Sequence, residues 1–294
     1  VGAPLTLRRD LNIGTTWLLP EWSSGPRGDE RSVLAAARAA GYHGVQGVRA
    51  ELCLDAGLTP VAFDIRPEIG GLRAAAQQWA DQGFACSTLM LGTGLNDDDQ
   101  CDRFAEEVLE ASSAVNFPLY VETHRATITQ DIWRTLRLIE RFPELRFNGD
   151  FSHWYTGHDL GMVPIETVLE ALDPVLVRTR YLHGRIGTSG SIQITVDDDR
   201  QDDAPVSHFR ALWQRCFEGF LATSGDDLVP VPGGAIGFAP ELLPAAFGYA
   251  LTGAGDAGDD EFGDRWEQAL LLTGIADECF RAAGEALPQQ LSNG

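Results

Sequence analysis

The chain has 294 residues, 44% of them hydrophobic, and a formal net charge of −21; that length suits one α/β barrel, which takes about 250 residues. All 22 basic residues are arginine, which excludes chemistry that needs a lysine: Schiff-base aldolases, pyridoxal enzymes and P-loop nucleotide binding. The negative charge repels a phosphate backbone and argues against nucleic acid as a partner, and no apolar run of about 18 residues is present to cross a membrane.

The opening VGAPLTLRRD lacks the apolar core of a signal peptide, and the five cysteines (Cys53, Cys86, Cys101, Cys216, Cys279) are dispersed without a C-x-x-C pair. Both features point to reduced thiols and a cytoplasmic location.

Residues 9–17 (RDLNIGTTW) read as a first strand, followed by an alanine-rich helix over 29–40 that Gly41 stops. A second strand covers 42–48 (YHGVQGV), a brief helix 52–57 and a third strand 59–65 (TPVAFDI). A helix over 71–83 leads to a fourth strand, 85–91 (ACSTLML), and a turn at 92–94. Cys101, Phe104, Val108, Ala111 and Val115 then mark one face of a long helix. Residues 118–121 form a fifth strand ending in Glu122, and 145–149 a sixth ending in Asp150; between them Ile132, Trp133, Leu136 and Ile139 recur at helical spacing. Next come a helix over 163–172, a seventh strand 178–186 (RTRYLHGRI), a polar loop 187–205 and an aromatic-rich helix 207–221. The eighth strand is 235–241 (AIGFAPE), and Phe262, Trp266, Ala269, Ala276 and Phe280 give a closing helix its apolar stripe. Eight strands alternating with helices, without a break in composition over 1–294, predict a single-domain (β/α)8 TIM barrel with an additional C-terminal helix. A doubly wound open sheet has the same alternation; the count of eight and the residues at the strand ends favour closure.

The last four strands each end in a potential ligand: Glu122, Asp150, His183 and Glu241. Parallel strands bring their carboxyl ends to one face of a barrel, so these four should converge. Three carboxylates with one imidazole suit Mn²⁺, Mg²⁺ or Co²⁺, with Zn²⁺ a weaker match. A single strand-end carboxylate is more often a helix cap or an ion-pair partner; four on successive strands make a metal site the better reading.

The stretches VETHR (121–125), GDFSHW (149–154), HGRIG (183–187) and PE (240–241) resemble the xylose isomerase-like TIM-barrel family, the sugar-phosphate isomerases and epimerases that share a barrel with the apurinic endonucleases. These motifs lie in the carboxyl-terminal half; the amino-terminal half matches only in its strand–helix rhythm. The resemblance implies one divalent ion held by Glu122, Asp150, His183 and Glu241. It also implies a substrate hydroxyl contacted by His153, and a substrate oxygen or carboxylate held by Arg185, for which a salt bridge to a neighbouring carboxylate is the plainer alternative. His124 and Arg125, just past Glu122, are expected to line the pocket or stay at the surface. Trp17 and Trp154 are expected to wall it for sugar C–H faces, core packing being the alternative for at least one. Gln193 is expected to drop over the site as part of a lid.

The implied activity is isomerisation or epimerisation of a keto sugar, sugar phosphate or polyol ketone, by proton abstraction next to a carbonyl through a metal-stabilised enediolate. Glu122 and Glu241 would be the catalytic base and acid. Loss of water from the same enediolate would make the protein a dehydratase or lyase, with His153 or His124 as acid. A non-catalytic sugar- or protein-binding barrel is the reading from another class. An apurinic endonuclease would need more ligands and a basic surface, and the two-metal xylose isomerases use a lysine that this chain lacks. The expected partners are a small carbohydrate or polyol and, as the resemblance implies, further copies of the chain in a homo-oligomer.

Overall fold

Eight parallel strands close into a barrel in order β1 to β8 in the computed structural model, which describes residues 4–253 and 261–291, with side chains to residue 286. The first half comprises β1 (Thr6–Asn12), α1 (Glu30–Ala39), β2 (Gly44–Gln46), α2 (Ala50–Asp55), β3 (Thr59–Arg66), α3 (Leu72–Asp81), β4 (Ser87–Leu91) and α4 (Asp98–Val115). The second half comprises β5 (Leu119–Glu122), α5 (Ile132–Arg141), β6 (Phe147–Gly149), α6 (Ser152–Gly157), α7 (Ile165–Leu176), β7 (Thr179–His183), α8 (Ala204–Thr223), β8 (Ala235–Ala239) and α9 (Arg265–Leu291). Closure rests on β1 pairing with β8, Thr6 opposite Ala235 through Arg9 opposite Phe238, which rules out the open sheet.

Local chemistry sets the helix ends. Asp29 caps α1 by accepting from the Ser32 N–H, Asp97 and Gln100 form a capping box at α4, and Asn116 ends α4 in the left-handed region at φ 54°. The main core lies between the strands and the ring from α3 to α9; a second cluster joins α1, α2, β1 and β2 to Trp266 of α9. All five cysteines are buried and unbridged. Among the described residues no helix is long and apolar enough to cross a membrane.

Several boundaries differ from expectation, for identifiable reasons. The first strand spans 6–12 rather than 9–17, because Asn12 turns its side chain onto the Gly14 N–H and starts a 3-10 turn there. Strands seven and eight stop at His183 and Ala239, so Arg185 and Glu241 stand just beyond their strands rather than within them. A six-residue helix, α6, follows Asp150 where none was expected. Trp133 is 76% exposed; the buried face of α5 is carried by Thr135, Leu138 and Ile139. Phe262 precedes α9 and is exposed, leaving Trp266, Ala269 and Ala276 buried on that helix.

Candidate metal and substrate site

Glu122 closes β5, Asp150 follows β6, His183 closes β7 and Glu241 stands two residues past β8. The barrel brings these four together: one ligand atom from each lies within 4.8 Å of the others. His183 Nδ1 is 3.7 Å from Glu122 Oε2, 3.7 Å from Asp150 Oδ2 and 3.4 Å from Glu241 Oε2. The other ring nitrogen, Nε2, faces Gln46 Oε1 at 2.9 Å. That oxygen also accepts from Asn12 Nδ2 (2.8 Å), while Gln46 Nε2 donates to Thr88 Oγ1 (2.7 Å), so the orientation of the amide is fixed. Gln46 therefore takes the Nε2 hydrogen and leaves Nδ1 as the nitrogen able to ligate an ion. Two further amides steady the carboxylates: Asn148 Nδ2 donates to Glu122 Oε2 (3.1 Å) and Asn12 Nδ2 to Glu241 Oε1 (3.1 Å).

Arg185 is completely enclosed by the site. Its Nη2 pairs with Asp150 Oδ2 and donates to His153 Nε2 (3.0 Å), its Nη1 lies 3.1 Å from Glu241 Oε2, and its Nε donates to Ser152 Oγ (2.9 Å). The guanidinium also stands 4.8 Å over the Tyr249 ring. The salt bridge considered for Arg185 is thus present, and it lies inside the site.

The charge balance matches a divalent cation. With the three carboxylates ionised and His183 neutral, Arg185 leaves the cluster at a net −2, which a buried site cannot hold uncompensated. The electrostatics of the cluster make the same demand for two positive charges. Burial, aided by Glu241 and Asp150, pushes the Glu122 carboxyl up to about 8. Burial opposes a charge on His183, yet Glu241, Glu122 and Asp150 overcome it and raise the imidazole to about 9. Burial likewise opposes ionisation of Asp150, but Arg185, His153 and His183 hold that carboxyl well below the usual range. A divalent ion supplies what these two protons supply, from ligand types that suit Mg²⁺ or Mn²⁺.

Glu122, His124 and His153 also approach within ligand distance of one another. Hydrogen bonding argues against a second ion there. His124 Nδ1 accepts from the Ala126 N–H (3.1 Å) and His153 Nε2 accepts from Arg185, so each neutral ring carries its hydrogen on the remaining nitrogen. Burial keeps both rings neutral, lowering His124 to about 4 and His153 well below its ordinary value. With ring centroids 3.8 Å apart they form a pair of N–H donors, and His153 Nδ1 has no partner.

Glu122, His124, His153, Arg185 and Glu241 line a cavity of about 630 Å³, together with Trp17, Phe63, Ile65, Met90 and Tyr249 among others. Trp17 is on that wall, 46% exposed. Trp154 is not: it is fully buried in the core, with Nε1 donating to Thr129 O (2.8 Å). Gln193 does not line the cavity: both ends of its amide bind the backbone of Leu243 (3.0 and 2.9 Å), tying the 187–205 loop to the segment after β8. Arg125 is exposed, 5.9 Å from the Tyr249 ring and outside the cavity lining. Sequence reasoning missed Asn12, Gln46, Asn148 and Tyr249. The first two end strands β1 and β2 as the ligands end later strands, and Asn148 lies two residues before Asp150 on the same face; Tyr249 carries no such signal.

No family model matches the chain, and no curated protein matches it in sequence. Among solved structures it is similar to a xylose isomerase-like TIM barrel protein from Mycobacterium smegmatis in complex with magnesium, with TM-score 0.56, 13% identity and coverage of 94% of this chain and 98% of that one. It is also similar to a sugar phosphate isomerase/epimerase from Parabacteroides distasonis, with TM-score 0.52, 12% identity and coverage of 93% and 97%. A xylose isomerase-like TIM barrel/4-hydroxyphenylpyruvate dioxygenase fusion protein aligns over 96% of this chain and 45% of its own, with TM-score 0.52 and 11% identity. The chain therefore has the fold of the xylose isomerase-like TIM barrels; at such identities the likeness is one of fold.

Proposed function

We propose that the protein is a divalent-metal-dependent isomerase or epimerase acting on a hydroxy ketone of the keto-sugar or polyol-ketone class. The observation that carries this reading is the buried quartet Glu122, Asp150, His183 and Glu241, whose net charge with Arg185 calls for a dication. The magnesium named for the Mycobacterium smegmatis barrel of the same fold points the same way. An ion held by the quartet supplies electrostatic stabilisation where negative charge develops on substrate oxygens.

The chain's own residues do the rest. Glu122 and Glu241 both line the cavity and stand after strands three apart around the barrel, so they approach a bound substrate from different directions. One takes a proton from the carbon beside the carbonyl and the other returns a proton. The Nε2–H of His124 and the Nδ1–H of His153 serve as donors to substrate oxygens, and the Arg185 guanidinium lowers the cost of negative charge beside them. The same two neutral donors favour a second reading, a dehydratase in which one of them protonates a departing hydroxyl. Product mass separates the two, because only dehydration loses water.

The test is elemental analysis of the purified protein beside a Glu122→Gln/Asp150→Asn double variant. About one Mn, Mg, Co or Zn per chain is expected in the wild type and none in the variant; no uptake by either, even after soaking in Mn²⁺, removes the metal site. On any hydroxy ketone that is turned over, Glu122→Gln and Glu241→Gln are each expected to abolish activity.

A further inference from the structure

The cavity has two unlike halves. On one side stand Glu122, His153, Arg185 and Glu241. Across the barrel, β3 and β4 present Phe63, Ile65 and Met90. Their direction follows from register: Phe63 pairs with Thr88 and Ile65 with Met90, while the Thr88 hydroxyl meets Gln46 beside His183. That face of both strands therefore looks into the barrel mouth. Trp17 after β1 and Val48 after β2 continue the apolar wall.

Phe63 is 38% exposed, Ile65 58% and Trp17 46%, so the wall presents apolar surface to water across the cavity from the ionic cluster. Arg185 is the sole cation lining the cavity among the described residues; its Nη2 pairs with Asp150, and its Nη1, 3.1 Å from Glu241, makes no hydrogen bond. A phosphate on the β3–β4 side would face Phe63 and Ile65 with no partner. The volume, about 630 Å³, falls within the roughly 300–1,000 Å³ of pockets that enclose drug-sized ligands, well beyond what a triose fills.

We propose that the substrate is an amphiphilic hydroxy ketone: its oxygen-bearing end meets the Glu122–Glu241 cluster, and an uncharged apolar group, aromatic in preference, seats on Trp17, Phe63, Ile65 and Met90. The polar end of this assignment rests on the function proposed above; the apolar end rests on the wall alone. Burying a ring against that wall removes apolar surface from water on both partners, and edge or offset stacking on Trp17 and Phe63 adds to it.

Three probes that share one hydroxy ketone test the proposal: 2-hydroxyacetophenone, hydroxyacetone and dihydroxyacetone phosphate. Their binding to the full chain is measured by calorimetry, once with Mn²⁺ and once after chelator treatment. The aryl probe is expected to bind at least tenfold more tightly than hydroxyacetone, under both conditions. In a Phe63→Ser/Ile65→Ser variant, whose folding is checked by circular dichroism, that ratio should fall below about threefold. Equal affinity of the aryl and methyl probes, or tighter binding of the phosphate, which would direct attention to Arg125, overturns the proposal. An aryl preference that persists while no probe gains from Mn²⁺ supports this assignment and counts against the metal reading alone.

Discussion

Gln46 illustrates how much of the site is decided by residues outside the ligand quartet. Its side-chain oxygen sits where the Nε2 hydrogen of His183 points, and Asn12 and Thr88 hold the amide in that orientation. A metal-ligating histidine depends on such a partner for its tautomer and ring angle, and loss of the partner typically costs about 10–100-fold in metal affinity. Gln46→Leu keeps the volume and removes both polar ends. We expect Mn²⁺ affinity, read by chelator competition, to fall by about that factor with the fold retained. An unchanged affinity would mean that His183 does not ligate through Nδ1. The same bookkeeping of hydrogens separates the two histidine environments. His183 turns Nδ1 towards three carboxylates, where it holds a proton when no ion is bound and is able to ligate one, whereas His124 and His153 have their acceptor nitrogens occupied by the Ala126 N–H and by Arg185 and present N–H groups instead. Residue type alone does not distinguish a ligand histidine from a donor histidine; the neighbouring hydrogen does.

At the level of elements, the short link from β7 into the loop beyond it aligns His183 with Arg185. Gly184 donates to Ala239 O (2.8 Å) on β8, and a Cβ at this position would lie 2.3 Å from the Phe238 ring, which packs edge-on against Trp213 of α8 at 5.0 Å. Gly184→Ala must therefore displace either Phe238 or the strand end that carries the site. We expect a loss of about 2 kcal/mol, seen as a fall of roughly 5 °C in thermal unfolding, with weaker metal binding in parallel; an unchanged melting temperature would show that Phe238 yields freely. This scale also explains what could be read from the sequence. The βαβ unit carrying Glu122 and Asp150 was legible because both strands are short apolar runs that stop at a carboxylate. The first strand was misplaced because its lumen side carries Arg8, Asp10 and Asn12, an ion pair and an amide buried within the barrel, which in a one-dimensional pattern look like surface. Glu241 is legible from its place at the end of the eighth apolar run and Arg185 from the H-x-R pattern, although both stand past their strands. Tyr249, brought onto Arg185 by the segment after β8, and the burial of Trp154 follow from packing that no local spacing encodes.

Across the whole molecule, the net charge of −21 places this chain where added negative charge is costly, and the site concentrates the problem in a buried volume. The consequence is a stability that depends on pH in a definite direction. His183 is raised from 6.5 to about 9 in the folded state, so its stabilisation is complete below pH 6.5 and is lost as pH rises through about 9. Glu122 is raised from 4.5 to about 8, so the folded chain holds a proton that the unfolded chain has released, and stability again falls as pH rises toward 8. The lowered values of His124 and His153 act with the opposite sign, but at pH 6.5 the unfolded imidazoles are already half neutral, so each returns only a fraction of a kcal/mol above that pH. Between pH 6.5 and 9 the metal-free protein should therefore lose ~3 kcal/mol or more, on the order of 5–10 °C in melting temperature. Surface carboxylates are already ionised throughout that window, so added salt should leave most of the fall in place. Saturating Mn²⁺ should flatten it, because the ion supplies the charge of the two protons. Glu122→Gln should halve it, because the amide cannot ionise. Differential scanning calorimetry across the window, with chelator and with Mn²⁺, reads all three effects. A melting temperature that holds steady to pH 9 in chelator would show that the buried quartet does not carry the two protons assigned to it.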